Sequence, residues 1–255
     1  MNILITGASQ GIGKALTYEY ASESNRFVLL ARNTDALKTI SKGLKEKNVD
    51  CYYMKCDVSD YGNVKEAVEF AKESLGSIEL AILNSGIGEP EWMDNFTSDS
   101  FKRVYSVNVF GLAHFFEFLI PIMKAQGGGV IAGVSSLADV RGYSGSASYC
   151  SSKAAATVFL EAARVQLKKF NIRVITVRPG FVKTAMTAKN EFHMPFLMEG
   201  RKAAKIIKRG IEKEKSIVQF PFSIVMSTRI LKLLPNWLFD WGVRKARPQR
   251  WKAPS

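Results

Sequence analysis

The sequence predicts a doubly wound α/β fold, with about seven parallel strands in one sheet and helices on both faces. Short apolar runs alternate along the chain with longer segments that repeat apolar residues at helical spacing. The short runs are nearly continuous in apolar character, as expected for parallel strands buried on both faces. No internal repeat, low-complexity linker or charge block marks a domain boundary, so we expect residues 1–255 to form a single domain.

The expected strands and helices follow one another in a regular order. The strand runs are NILIT, RFVLLA, CYYMK, LAILN, VIAGV, RVITVRP and SIVQF. The helical segments include GKALTYEYAS, GNVKEAVEFAKESLG and VYSVNVFGLAHFFEFLIPIMKAQ. In such a sheet, ligands bind outside the carboxyl ends of the strands, where the strand order reverses. Functional residues are therefore expected just after the strands.

Composition restricts the class of protein and its compartment. The chain has 255 residues, of which 47% are hydrophobic and 23% charged, as is ordinary for a globular protein. The three cysteines, Cys51, Cys56 and Cys150, have no metal-ligand spacing. We therefore expect free thiols in a reducing, cytoplasmic compartment and no metal site. No targeting segment is expected, because MNILITG leads directly into the first strand.

The formal net charge of +13 favours an anionic partner. Nucleic acid, a phosphorylated ligand and an acidic membrane surface are the three candidates. No nucleic-acid recognition motif is present, so we expect no nucleic-acid partner. Much of the charge follows Lys183, in RKAAKIIKRGIEKEK and VRKARPQRWKAPS.

A glycine-rich turn, TGASQGIGKAL, follows the first strand. Gly7 allows the tight turn, Gly11 lets a pyrophosphate approach the backbone, and Gly13 lets the helix pack close to the sheet. A helix that begins near Ile12 directs free amides and its positive dipole end toward the phosphates. The G-x-x-x-x-G-K-[ST] phosphate loop is excluded, because alanine stands at its leading glycine and again after the lysine.

The segment SASYCSSKAAA places Tyr149 four positions before Lys153. A helix puts such positions on one face, about 5–6 Å apart at their Cβ atoms. The small neighbouring side chains leave room for ligands above the pair. A solvated helical face is the alternative interpretation of this segment taken alone.

Together, TGASQGIG and YCSSK resemble the short-chain dehydrogenase/reductase family in its single-domain form. The resemblance covers roughly the first three quarters of the chain and fades after about Thr184. It implies an NAD(P)-dependent oxidoreductase that interconverts a carbonyl and an alcohol on a small molecule, with a tyrosine as acid or base. A homo-oligomer is among the assemblies that the family adopts.

The family's catalytic Asn, Ser, Tyr and Lys correspond to Asn108, Ser136, Tyr149 and Lys153. The resemblance implies that Ser136 binds the substrate oxygen, that Tyr149 transfers the proton, and that Lys153 lowers the pKa of Tyr149 and holds the ribose hydroxyls. It also implies that Asn108 stabilises a local distortion of its helix and binds a water molecule that connects to Lys153. Ser135 is the alternative serine, and strand alternation points it away.

The resemblance also assigns cofactor-binding positions along the chain. They are Gly7, Ser9, Gly11, Ile12, Gly13, Arg32, Asp57, Val58, Asn84, Gly86, Tyr149, Lys153, Pro179, Gly180, Val182 and Thr184. In LNSG, Leu83 replaces an asparagine that the family often has, and we expect apolar repacking there without loss of activity.

The cofactor is expected to be NADP(H) rather than NAD(H). NAD-preferring relatives place an acid at the end of the second strand, where this chain has Ala31 followed by Arg32. A guanidinium suits the 2′-phosphate, because its planar fork donates two hydrogen bonds to phosphate oxygens. The alternative is that Arg32 is a solvated surface arginine.

Residues 184–215 are expected to hold the substrate loop. They are rich in flexible apolar side chains, namely Met186, Phe192, Met194, Phe196, Leu197 and Met198. These side chains form either the core of a lid or a pocket for a bulky apolar substrate.

Residues 221–255 form an apolar and basic extension that is too interrupted to span a membrane. Its apolar residues include Leu231, Leu234, Trp237, Leu238 and Trp241. Three interpretations stay open: peripheral docking on an anionic membrane, a dimer contact, or a flap over the active site.

The sequence therefore predicts an NADPH-dependent carbonyl reductase with an apolar or lipid-like substrate. The alternative is a non-catalytic nucleotide-binding regulatory protein of the same fold. It is disfavoured because all four catalytic positions are occupied.

Overall fold

The structure, a computed structural model, describes residues 1–189 and 194–245. Within this part, seven parallel strands form one sheet, and all seven predicted strands are confirmed to within a residue or two. They are β1 (Asn2–Thr6), β2 (Arg26–Ala31), β3 (Cys51–Lys55), β4 (Leu80–Leu83), β5 (Gly129–Val134), β6 (Ile172–Pro179) and β7 (Ile217–Phe220). Their order across the sheet is β3-β2-β1-β4-β5-β6-β7.

Helices connect the strands and continue beyond the last one. In the described residues they are α1 (Gly11–Tyr20), α2 (Thr34–Lys45), α3 (Tyr61–Leu75), α4 (Ser98–Tyr105), α5 (Gly111–Ala125), α6 (Ala147–Leu167), α7 (Gly200–Glu212), α8 (Phe222–Leu233) and α9 (Asn236–Lys245). Short 3₁₀ turns cover Leu137–Asp139, Lys168–Phe170 and Thr187–Lys189.

The sheet separates two apolar layers. Alternate side chains of β1 enter opposite layers, with Ile3 and Ile5 on one side and Leu4 on the other. Helices α1, α2 and α7 cover the first layer, while α3, α5 and α6 cover the second. The predicted free thiols are confirmed, because Cys51 and its two fellow cysteines are buried and unpaired.

The strand order reverses between β1 and β4, and side chains join the two strand ends there. The Thr6 hydroxyl oxygen accepts hydrogen bonds from the amides of Asn84 and Ser85, at 2.9 and 3.1 Å. The Asn84 side-chain amide donates to the Thr6 carbonyl at 3.2 Å. This fixes the carboxyl edge of the sheet at the point where ligands of such folds bind.

The predicted helix over residues 104–126 is interrupted by one π-helical turn, Ser106–Phe110, between α4 and α5. By length and composition alone, Ser98–Ala125 is the one stretch in the described residues that is long and apolar enough to cross a membrane. Phe115, Leu119 and Met123 of this stretch are nevertheless buried in the second apolar layer.

The region expected to hold the substrate loop divides into two parts. Within 184–215, helix α7 buries Ala203, Ala204 and Ile207 against the first apolar layer. Residues 184–189 and 194–198 form the loop before α7, and Phe192 lies outside the described residues. The extension 221–255 contains α8 and α9, and residues 246–255 lie outside the described part.

Candidate active site

The turn after β1 has the shape that a dinucleotide phosphate requires. Gly7 has φ +63°, a left-handed conformation that side chains disfavour. A Cβ on Gly13 would lie 2.3 Å from the Gly7 carbonyl oxygen, so only glycine allows α1 to approach this closely. Helix α1 has no side-chain cap at Gln10 and no acid in its first turn, which leaves its amides available to an anion. The turn therefore fits a pyrophosphate.

The hydroxyl groups of Ser136 and Tyr149 meet beyond the end of β5. Ser136 begins the Leu137–Asp139 turn, and its Oγ accepts a hydrogen bond from the Ala138 amide at 3.1 Å. Tyr149 is half-buried in the first turn of α6, and the neighbouring Ser136 side chain acts to lower the pKa of its phenol. The loop after β4 packs closely on this tyrosine, because a Cβ on Gly88 would lie 2.8 Å from the ring.

Lys153 lies one helical turn beyond Tyr149 and is only 4% exposed. Its Nζ donates to the Val134 carbonyl oxygen at 3.0 Å and lies 5.9 Å from the centre of the Tyr149 ring. Burial lowers the pKa of Lys153 to about 8, and the nearby Asp139 carboxylate opposes this effect. At neutral pH, Lys153 is therefore charged in most of the molecules.

The pKa of Tyr149 differs in direction from the sequence-based expectation. Burial raises it, the hydrogen bond with Ser136 lowers it, and the charges of Cys150 and Asp139 raise it, so the pKa lies above its ordinary value. We expected Lys153 to lower this pKa. Desolvation of the phenol is the largest cause of the raised pKa, and the Lys153 ammonium donates its hydrogen bond to the Val134 carbonyl.

Asn108 lies in the π-helical turn, where the resemblance predicted a local helix distortion. Its Oδ1 accepts from the Ile87 amide at 2.8 Å, and its Nδ2 donates to the Ile87 carbonyl and the Ser152 hydroxyl, each at 2.9 Å. This side chain therefore joins the loop after β4 to α6. A cavity of about 20 Å³ beside Asn108, also lined by Thr6 and Ser85, is large enough for one water molecule.

The ends of β2 and β3 bring Arg32 close to Asp57. The Arg32 Nη1 lies 3.9 Å from the Asp57 Oδ2 at an exposed position. Burial raises the pKa of Asp57, but hydrogen bonds from the Ser59 hydroxyl and amide, together with the Arg32 charge, outweigh it and lower the pKa. Val58 is buried in the second apolar layer.

The segment after β6 passes over the glycine turn. A Cβ on Gly11 would lie 3.1 Å from the Thr184 Cγ2, and Val182 forms an isolated parallel bridge with Met198. Pro179 is buried, and the Gly180 amide donates to the Phe220 carbonyl at 2.7 Å.

The remaining predicted positions lie at the same edge of the sheet. Asn84 bonds both Thr6 and Gly7, and Gly86 adjoins Lys153, since a Cβ there would lie 3.0 Å from Nζ. Ser9 and Ile12 are half-buried in the turn. The structure thus brings the predicted catalytic and cofactor-binding positions to one edge, with Arg32 at its margin.

Comparison with known proteins identifies the family. Residues 1–194 match the family described as short chain dehydrogenase. The chain belongs to the short-chain dehydrogenase/reductase family. It is 33% identical over 244 residues to an uncharacterised oxidoreductase of Myxococcus xanthus, with 96% of each chain covered. It is 32% identical over 181 residues to a 7α-hydroxysteroid dehydrogenase of Escherichia coli, with 71% of each covered.

A solved 7α-hydroxysteroid dehydrogenase, complexed with NADH and 7-oxo glycochenodeoxycholic acid, has the same fold. Its TM-score is 0.80 at 26% identity, and the match covers 86% of this chain and 91% of that one. The short-chain dehydrogenase/reductase described here is thus an NAD(P)-dependent enzyme acting on CH–OH or C=O groups.

Two buried contacts around the site were not predicted from the sequence. The Glu91 carboxylate, in the loop after β4, accepts hydrogen bonds from the Ser148 amide at 2.9 Å and from its hydroxyl at 2.6 Å. This caps α6 immediately before Tyr149. Because the partners are 57 residues apart, no local sequence signal identifies the contact.

The second contact is the ion pair of Asp139 with Arg178, both largely buried. The Arg178 Nε donates to Asp139 Oδ2 at 2.7 Å, and the Thr157 hydroxyl donates to the same oxygen at 2.6 Å. The Ser135 hydroxyl bonds Thr157 and the Lys153 carbonyl, so it points away from Tyr149 as strand alternation predicts. This network supports the helix and loop that carry the site.

Within residues 1–189 and 194–245, no group of three or more His, Cys, Asp or Glu side chains is arranged to hold a metal ion.

The leucine that replaces the family asparagine, Leu83, is buried in the second apolar layer, as the expected apolar repacking requires.

Proposed function

We propose that this enzyme is an NADPH-dependent reductase that converts a carbonyl to an alcohol, or the reverse, on an apolar or lipid-like substrate. The observation that carries the proposal is the convergence of the Ser136 and Tyr149 hydroxyls beside the buried Lys153 ammonium. The proposal is also supported by the positions of Asn108, Gly86 and the glycine turn around these three side chains.

Each side chain then has a defined task. A bound nicotinamide supplies or accepts the hydride. Ser136 donates a hydrogen bond to the substrate oxygen, and Tyr149 gives its phenolic proton to that oxygen as negative charge develops on it. The charge of Lys153 stabilises the phenolate that remains. Burial keeps the proton on Tyr149 until the substrate oxygen becomes basic enough to take it.

Arg32 supports NADPH as the preferred cofactor. No acid stands at the end of β2 to bind a ribose hydroxyl, and the guanidinium is exposed there. Lys55, the last residue of β3, pairs with Ala31, the residue before Arg32. Two cations at this edge suit a 2′-phosphate, although the related hydroxysteroid dehydrogenase is complexed with NADH.

The loop before α7 supports an apolar substrate. Phe196 and Leu197 are exposed, and Met186, Met194 and Met198 of the same segment are half-buried. These flexible side chains follow β6 at the edge that carries Tyr149. The relative complexed with an oxo bile acid conjugate agrees with this class of substrate.

Exposed apolar residues of α6, Val158 and Val165, support self-association into a homo-oligomer.

The catalytic proposal is tested by Tyr149→Phe. Oxidation of NADPH is followed with a panel of aliphatic and cyclic ketones, and NADPH binding is measured by fluorescence titration. We expect turnover to fall by about 10³-fold or more while binding changes less than about threefold. The matched control is Tyr143→Phe, in the preceding loop, which should keep turnover near the wild-type rate.

Substantial turnover by Tyr149→Phe would contradict the assigned role. A wild type that binds NADPH but reduces no ketone and oxidises no alcohol would instead favour the non-catalytic regulatory protein.

The cofactor proposal is tested by Arg32→Ala. Loss of charged hydrogen bonds to the 2′-phosphate should lower kcat/KM for NADPH by about 10- to 100-fold, since each contributes about 1.5–3 kcal/mol. The value for NADH should change little. Lys38→Ala, an exposed change on α2, is the control. A higher wild-type kcat/KM with NADH than with NADPH would show the preference to be wrong.

A further inference from the structure

Helices α8 and α9 present large apolar side chains to solvent. On α8, Phe222 is 78% and Leu233 84% exposed, and on α9 Trp237 is 71% exposed. Val225 and Thr228 of α8 are buried, so this helix packs by one side and exposes the other. We call the exposed set the C-terminal apolar face, which consists of Phe222, Met226, Ile230, Leu233, Trp237 and Trp241.

Helices α8 and α9 are held against the loop between Ser136 and Tyr149 by residues outside the C-terminal apolar face. Arg141 in that loop donates to the Leu234 carbonyl at 2.9 Å and to Asn236 Oδ1 at 3.2 Å. Its guanidinium also lies 4.3 Å from the centre of the Phe239 ring. These contacts give the two helices a defined position beside the active-site loop.

The face also adjoins the substrate loop. Strands β6 and β7 are neighbours in which Pro179 pairs with Phe220, so the segments that follow them leave the same edge of the sheet. One segment carries the exposed Phe196 and Leu197, and the other begins α8. Apolar surface is therefore concentrated at the edge where Tyr149 lies.

Positive charge accompanies this apolar surface. The described residues 221–245 contain four lysines and arginines and a single acid, Asp240. Arg229 and Lys232 are exposed on α8, between the apolar side chains. A second copy of the chain is a poor occupant, because a two-fold contact through this face would bring like charges together. A surface that is both apolar and anionic is complementary to it.

We propose that the C-terminal apolar face docks this enzyme on an anionic lipid bilayer. Tryptophan and aliphatic side chains enter the interface, and the basic residues contact the lipid phosphates. The active-site edge then lies beside the bilayer. Delivery of an apolar substrate from the membrane rests on the proposed function, whereas docking itself does not.

Co-sedimentation of the full chain with lipid vesicles tests the proposal. We expect binding to vesicles of phosphatidylcholine and phosphatidylglycerol, little binding to phosphatidylcholine alone, and weaker binding at high salt. Arg229→Gln with Lys232→Gln should weaken binding by about 25-fold, since each basic residue contributes roughly fivefold at an anionic surface. Trp237→Ser with Trp241→Ser should weaken it by about tenfold or more.

Two matched double variants serve as controls. Lys38→Gln with Lys42→Gln removes the same charge from exposed positions on α2, and Val158→Ser with Val165→Ser removes exposed apolar side chains from α6. Both controls should bind vesicles within about threefold of the wild type, because neither touches the docking face. Far-ultraviolet circular dichroism of all variants reports whether each protein is folded, and turnover of a water-soluble ketone is measured separately.

The outcomes separate docking from catalysis. Absence of wild-type binding to anionic vesicles would overturn the proposal, as would equal losses in the α8–α9 variants and in the controls. Self-association of the tryptophan variant is measured by sedimentation velocity. If this variant no longer self-associates and the wild type does not bind vesicles, a second copy of the chain covers the face. Vesicle binding by a protein that turns over no ketone would leave docking intact and refute the proposed function.

Discussion

Replacement of Lys153 by methionine should abolish turnover and, in the cofactor-free protein at neutral pH, remove an unfavourable buried charge. Burial lowers the pKa of Lys153 from 10.5 to about 8. Since one pKa unit corresponds to about 1.36 kcal/mol, holding the ammonium in the folded protein at pH 7 costs about 3 kcal/mol. Methionine has similar length and carries no charge.

The pH dependence of this cost follows from the direction of the pKa change. The unfolded chain binds the Lys153 proton more tightly than the folded protein, so this contribution to wild-type stability rises between about pH 8 and pH 10.5. At pH 10 the remaining cost is about 1 kcal/mol. The variant also leaves the Val134 carbonyl without its hydrogen bond, a loss of about 1–3 kcal/mol that does not depend on pH.

Urea unfolding of cofactor-free wild type and Lys153→Met at pH 7 and pH 10 measures the effect. Relative to the variant, the wild type should gain about 2 kcal/mol of unfolding free energy between the two pH values. Lys42→Met, at an exposed position on α2, should show no such change. A difference between wild type and Lys153→Met that is the same at both pH values would refute the buried-charge argument.

Two further substitutions test the surroundings of Lys153. Asp139→Asn removes the buried partner of Arg178 and should lower the free energy of unfolding by about 3 kcal/mol, measured in urea. Because Asp139 raises the pKa of Lys153, the alkaline limb of kcat/KM should also move to lower pH, which a purely structural role would not cause. Gly86→Ala places a Cβ 3.0 Å from the Lys153 Nζ and should cost about 1–3 kcal/mol of stability together with most turnover. Gly43→Ala, with open space on α2, should be neutral or stabilising in the same assays.

The parts of the fold that the sequence predicted correctly depend on local patterns. A run such as RFVLLA is apolar at nearly every position because β2 has a packed layer on each face, and the observed strand covers the same residues. The spacing of Tyr149 and Lys153 requires only that α6 be a helix. Strand-end residues met at one edge because all the strands are parallel.

The contacts that the sequence did not predict are long-range and depend on packing. Glu91 caps α6 through Ser148 across 57 residues, and Arg141 contacts Leu234 across 93. No spacing rule connects such positions, since each partner is ordinary in its own segment. The direction of the Tyr149 pKa was missed for a related reason: the motif predicts which groups are adjacent, whereas burial is a property of the folded core.

Burial shifts the pKa values of Tyr149 and Lys153 in opposite directions, whereas Asp139 shifts both in the same direction. Desolvation raises the pKa of Tyr149 and lowers that of Lys153, so it favours a neutral phenol and a neutral amine. The negative charge of Asp139 raises both pKa values. It therefore keeps the proton on Tyr149 and the charge on Lys153, the two states from which a carbonyl is reduced.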